Sequence, residues 1–128
     1  MAALLDSHAL LWWVNDDRRL SSRASETIED PNRTIYFSPV NVYELLFKHW
    51  LGKLELAPDL VAGMPTRLLE LGLSELPLSA DHAAAAATLA LDNRDPFDRL
   101  LVAQALSEDL GLISNEEEFG QTGVRRIW

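Results

Sequence analysis

The 128-residue chain has no cysteine. That removes disulfides, thiolate zinc sites and cysteine nucleophiles from consideration. Glycine is sparse, at six residues, and the first is Gly52. Neither GxGxxG nor GxxxxGK[ST] occurs, so the dinucleotide and P-loop readings fail at their first requirement. There is no GxSxG nucleophile elbow. No apolar run approaches the ~20 residues of a membrane-spanning helix. The N-terminal apolar stretch lacks the basic segment of a secretory signal. Lysine is nearly missing too: Lys48 and Lys53 are the only two, and the second half of the chain has none. The three histidines, His8, His49 and His82, lack zinc-ligand spacing and read as partly exposed helix residues. These absences point to a globular protein of the cytoplasm, built as one domain over residues 1–128.

Charge is abundant in one sign. Twenty acidic and eleven basic side chains give a formal net charge of −9. Taken alone this argues against nucleic-acid binding, which runs on neutralising phosphates. The objection lapses if the acids are gathered at a site where bound cations reverse the local sign. Acidity that only maintains solubility, or that meets a basic protein segment, is the plainer reading.

The pattern alternates strands and helices. MAALLD is a short buried strand ending at Asp6, and Ser7–Asn15 a helix with a broad apolar face. LSSRASETIED (20–30) reads as a helix capped by Ser21 or Ser22 and broken by Pro31-Asn32. TIYFS (34–38) is a strand by propensity. Ser38-Pro39 then starts a helix that stops at Gly52. A helix near 65–71 precedes a strand around 74–78. Asp81 caps the alanine-rich HAAAAATLAL. The next helix spans Pro96 to Leu110, ended by Gly111. LIS (112–114) and VRRIW are the last strands, with NEEEFGQTG a turn or short helix between them. Such alternation implies right-handed crossovers and an α/β/α sandwich around a mostly parallel sheet of four or five strands. The pair Trp12–Trp13 reads as core or subunit interface in preference to a base-stacking platform.

Five carboxylates share a type of position. Asp6 ends the first strand. Glu44 lies early in the helix after the second. Asp95 and Asp98 open the helix from 96, and Glu116 follows the strand LIS. Open parallel sheets bind ligands at the carboxyl ends of their strands, where these acids would converge. Carboxylates so gathered repel and raise one another's pKa. A hard divalent cation, Mg²⁺ or Mn²⁺, is the natural counter-charge, and it equips the site for phosphodiester hydrolysis by activated water. Each acid also has an ordinary structural reading. Asp6 can cap the first helix, Glu44 can pair with Lys48 at i,i+4, Asp95 and Asp98 can be N-cap and N3, and Glu116–Glu118 can be a solvated run.

Together, LLDSHALLWWVNDDRRLS (4–21), SPVNVYELLFKHWLGKLEL (38–56), LPLSADHA (76–83), RDPFDRLLVAQAL (94–106) and LGLISNEEEF (110–119), with GVRRIW at the end, carry a resemblance. The chain resembles the PIN-domain ribonucleases, in particular the VapC-type toxins of bacterial type II toxin–antitoxin pairs. The resemblance implies a metal-dependent endoribonuclease with an acidic Mg²⁺ or Mn²⁺ pocket, an RNA substrate, a cognate antitoxin and a homodimer. By motif position Asp6, Glu44 and Asp98 match the family acids, Asp95 is an added acid of the RDPFDR variant, and Ser7 is the small hydroxyl residue after the first acid. Relatives read T-x-D-x-x-F after the late strand, where this chain has Ser114-Asn115-Glu116-Glu117-Glu118-Phe119. Glu116 therefore takes an aspartate position with one methylene more, and Asn115 is a neutral alternative. Arg94, Arg99, Lys48 and Lys53 are candidates for phosphate contacts. Two other functions stay open. One is a PIN-like scaffold that only binds a partner. The other is a receiver-type regulatory domain, disfavoured because no lysine follows a late strand.

Overall fold

The computed structural model describes all of residues 1–128. The elements run β1 (Ala3–Leu5), α1 (Ser7–Val14), α2 (Ser22–Glu29), β2 (Ile35–Phe37), α3 (Pro39–Trp50), α4 (Pro58–Glu70), β3 (Ser74–Glu75), α5 (Ala80–Ala87), α6 (Pro96–Ser107), β4 (Gly111–Ile113), a 3₁₀ turn (Glu117–Thr122) and β5 (Arg126–Ile127). The five strands are all parallel, in the order β3-β2-β1-β4-β5.

Successive strand side chains point to opposite faces, and both faces are apolar. Ala3, Leu5, Phe37 and Ile113 face a core shared with α1, α2 and α4. Leu4 and Leu112 face a second core built with Leu101, Val102 and Ala105 of α6 and with Phe119. The result is the expected α/β/α sandwich. Trp12 is buried, stacked on His8 at 5.6 Å and covered by the Arg19 guanidinium at 5.0 Å, so it belongs to the packing of α1.

Strand order decides where a ligand belongs. The chain builds outward from β1 to β3, then returns to add β4 on the other side of β1. The β1–β4 pair is thus the topological switch point, and the crevice beyond its carboxyl ends is the usual ligand position. Leu5 pairs with Ile113, so Asp6 and Ser114 emerge side by side there. The Asp6 N–H donates to the Ile113 carbonyl at 3.1 Å.

Several helix ends differ from expectation. Ser79, not Asp81, caps α5: its hydroxyl accepts the His82 N–H at 3.1 Å, and His82 Nδ1 accepts the Ser79 N–H at 3.0 Å. His82 is consequently buried rather than partly exposed, and its Nε2 meets Glu108, the residue that caps the end of α6, at 2.9 Å. Helix α5 ends at Ala87 and α6 at Ser107, both earlier than expected. Gly111 does not stop α6. The chain turns through Asp109, at φ 53°, and Gly111 lies inside β4. A Cβ at Gly111 would fall 2.8 Å from Ile127 Cδ1, the tip of a β5 side chain that packs over this position. Helix α4 starts earlier than expected, at Pro58, with non-helical backbone at Gly63 just before Pro65. Strand β3 is only two residues long.

Candidate active site

Local helix chemistry delivers the acids. Asp6 leaves β1 in extended conformation and becomes the N-cap of α1, its carboxylate accepting the Ala9 N–H at 2.8 Å. It is 4% exposed. Capping and a place at the sheet edge are therefore one arrangement, because the cap must sit where the strand ends. Desolvation pushes the Asp6 carboxyl above its usual range. Ser114, the Ala9 N–H and His8 pull it down, and Glu116 pushes it up.

Ser38 caps α3 with Pro39 following, as the local sequence requires, and Asn41 closes the capping box through its side-chain oxygen on the Ser38 N–H at 2.7 Å. The amide nitrogen of Asn41 donates to the Leu5 carbonyl at 3.2 Å and to Ser7 Oγ at 3.1 Å. Ser7 Oγ in turn donates to Glu44 Oε1 at 2.6 Å. This buried chain welds the end of β1 to the first turns of α3 and fixes Glu44, which is 4% exposed and also accepts from Lys48. Asn41 is a site residue that sequence reasoning passed over. Its signal was present, since Asn at N3 after a Ser-Pro cap has its side chain committed to the helix start.

Asp95 is the N-cap of α6, accepting the Phe97 N–H at 2.9 Å. Asp98, one turn in, does not complete a capping box. Its Oδ2 accepts from Asn93 Nδ2 at 2.9 Å. Desolvation and then the neighbouring Asp95 charge raise its pKa to about 7. The Asn93 hydrogen bond opposes this, and Glu44 and Asp6 reinforce it. Carboxylates from β1, α3 and α6 thus act on one another at the switch point. Desolvation works to lower the Lys48 ammonium, but its contact with Glu44 and the charges of Asp95 and Asp98 outweigh it and raise its pKa.

Glu116 is half-buried, follows β4 and is close enough to Asp6 to act on its charge. Its N–H is held by Ser114 Oγ at 3.0 Å. Asn115 is exposed. No three of the acids share bonding distance to a single point. The donor set is nonetheless all oxygen, desolvated and short of counter-charge, which suits a hard divalent cation.

The four cationic candidates separate. Lys53 and Arg94 are exposed and free of ion pairs, and Lys48 is engaged by Glu44. Arg99 must be reassigned. Its guanidinium donates to the carbonyls of Ala86 (3.1 Å), Leu89 (2.8 Å), Leu91 (2.6 Å) and Asn93 (3.0 Å), which binds the α5–α6 connection to α6 and commits four of its five N–H donors. Arg99→Met is expected to destabilise the fold by about 2–4 kcal/mol, since charge-assisted hydrogen bonds are worth ~1.5–3 kcal/mol each and are not additive. Urea unfolding checks this. Wild-type stability combined with weakened RNA binding would return Arg99 to a phosphate role.

A cavity of about 460 Å³ lined by Trp13, Asp16, Ser21 and Glu26, among others, lies at the far end of α1 from Asp6 and has no part in this chemistry.

A PIN domain model matches residues 3–124, and the chain belongs to that family. Its sequence is similar to Ribonuclease VapC22 of Mycobacterium tuberculosis, 29% identical over 116 residues, covering 88% of this chain and 85% of that protein. Its fold is similar to that of VapBC2 from Rickettsia felis bound to a promoter DNA fragment, with a TM-score of 0.70, 16% identity and 100% of both chains covered. DNA-bound VapBC from Salmonella typhimurium gives a TM-score of 0.69 at 18% identity, covering 98% of this chain and 97% of that one.

Proposed function

We propose that this chain is the toxin of a toxin–antitoxin pair, a Mg²⁺- or Mn²⁺-dependent endoribonuclease acting in the cytoplasm. The observation that carries the reading is that Asp6 caps α1 at the end of β1 while Glu44 is hydrogen-bonded to the adjacent Ser7, with Asp98 near enough for both charges to raise its pKa. Membership of the PIN family and the similarity to a named ribonuclease support it.

Asp6, Glu44 and Asp98 would hold the cation, with Glu116 completing the acidic wall. A bound divalent cation supplies a Lewis acid for the phosphate and a water of lowered pKa. The protein's own part is orientation. Ser7 and Asn41 lock Glu44 to the end of β1. The caps Asp6 and Asp95 fix the first turns of α1 and α6. Lys48 offsets part of their charge. Asp95, Ser7 and Asn115 are accessory in this scheme, and the exposed Arg94 and Lys53 are the cations available to RNA phosphates.

The structural neighbours include a toxin–antitoxin complex from Klebsiella pneumoniae and a member of the VapBC family of toxin–antitoxin systems from Mycobacterium tuberculosis, which supports a cognate antitoxin for this chain; a homodimer belongs to the same proposal. Induced expression in a bacterial host is expected to arrest growth and to leave discrete RNA fragments. Asp6→Asn expressed at the same level is expected to do neither. Undisturbed growth and intact RNA with the wild-type chain would contradict the toxin reading.

A further inference from the structure

The loop between α5 and α6 holds Asn93 with unusual completeness. Its carbonyl is one of the four bound by Arg99. Its side-chain oxygen accepts the Asp95 N–H at 2.8 Å, an Asx-type turn into the α6 cap. Its amide nitrogen donates one hydrogen to Asp98 Oδ2 at 2.9 Å and the other to Glu118 Oε1 at 3.0 Å. The opposite amide orientation is excluded on charge. It would set an oxygen against two carboxylates and an NH₂ against an N–H. Leu91, two residues earlier, is buried in the core with Leu101 and Phe119, which anchors the loop from beneath.

Asn93 therefore ties the first turn of α6 to the 3₁₀ turn after β4, the two walls that carry Asp98 and Glu116. Through Oδ2 it holds the Asp98 carboxylate in one orientation and leaves Oδ1 without a hydrogen-bond partner. A half-buried acid among like charges would otherwise rotate away from them. We infer that Asn93 is a positioning residue, clasping Asp98 between α6 and Glu118 so that its second oxygen is available to a divalent cation. Arg99 acts one step further out by fixing the loop that presents Asn93. The inference rests on the carboxylate reading of the site. Hydrogen-bonding partners of metal ligands typically contribute ~10–100-fold to metal affinity.

The decisive variant is Asn93→Ser. A serine hydroxyl can still accept the Asp95 N–H and preserve the turn, yet it is too short to reach Asp98. Calorimetric titration with Mn²⁺ is expected to give about tenfold weaker binding than wild type, with the melting temperature nearly unchanged. Asn93→Ala is the second variant and should show the same loss of Mn²⁺ affinity. Glu118→Gln keeps an acceptor for Asn93 and should bind Mn²⁺ within about twofold of wild type, on the same scale of ligand-partner effects. Wild-type affinity in both Asn93 variants overturns the inference while leaving the carboxylate site standing. A loss in Glu118→Gln equal to that in Asn93→Ser also overturns it, by making Glu118 itself a ligand. If the wild-type chain takes up no Mn²⁺ at all, the site reading falls and this inference with it.

Discussion

Asp98→Asn is expected to abolish RNA cleavage and, in the absence of divalent cation, to make the chain more stable. The folded-state pKa of Asp98 stands near 7, against an ordinary value of 3.8. Between those values the folded chain holds a proton that the unfolded chain has released. Stability therefore falls as pH rises from about 4 to 7, and above 7 the loss is complete. A shift this size would correspond to about 4 kcal/mol for a fully buried group. Asp98 is only half-buried, and solvent screening brings the expected cost to about 1–2 kcal/mol. Asparagine removes that cost. In metal-free urea melts the gap between Asp98→Asn and wild type should open from pH 4 to pH 7 and then stay level. A gap of zero at pH 8, or residual turnover in the variant, contradicts the assignment. Saturating Mn²⁺ should reverse the order, since binding to the folded state stabilises it by ~2.7 kcal/mol at one hundred times Kd.

Asp6→Asn isolates charge from structure at the other acid. Asparagine caps helices about as well as aspartate, so the Ala9 N–H keeps its partner, and in metal-free buffer at neutral pH the variant should be at least as stable as wild type, because burial already disfavours the Asp6 carboxylate. The buried negative charge is lost. If it helps hold a cation that supplies several kcal/mol of transition-state stabilisation, single-turnover cleavage should fall by about 10³-fold or more. Asp6→Ala should lose the same activity and about 1 kcal/mol of stability in addition, because the cap goes with it. Near-wild-type cleavage by Asp6→Asn would reduce Asp6 to a helix cap.

The capping and sheet-edge readings are compatible at Asp6, and the reason is geometric. A strand that ends beside a helix start puts the capping carboxylate at the sheet edge, where ligands bind. That much is legible from short-range patterns: Asp6 after an apolar triplet, Ser38 before Pro39, Asp95 before Pro96. The parallel sheet followed from the alternation of strands and helices for similar reasons. Features set by distant parts of the chain were not legible. Arg99 read as a candidate phosphate contact because its four carbonyl partners, Ala86 at the end of α5 and Leu89, Leu91 and Asn93 in the loop after it, lie 6–13 residues away with no sequence signature. Gly111 looked like a helix stop, yet it is the first residue of β4, packed against the Ile127 side chain of the neighbouring strand. Asp81 was the expected cap of α5, and the reciprocal bonds between Ser79 and His82 give that place to Ser79. The Ser7–Glu44 hydrogen bond spans 37 positions. Motif position pairs those residues loosely, and Asn41 shows how they are held.

The most direct measurement is cleavage of an end-labelled structured RNA by the purified chain under three conditions: with Mg²⁺ or Mn²⁺, with excess EDTA, and with EDTA followed by restored cation. An acidic pocket that works through a hard cation predicts cleavage in the first, none in the second and recovery in the third, with Asp6→Asn inactive throughout. Equal cleavage in the presence of EDTA, or equal cleavage by Asp6→Asn, would contradict it.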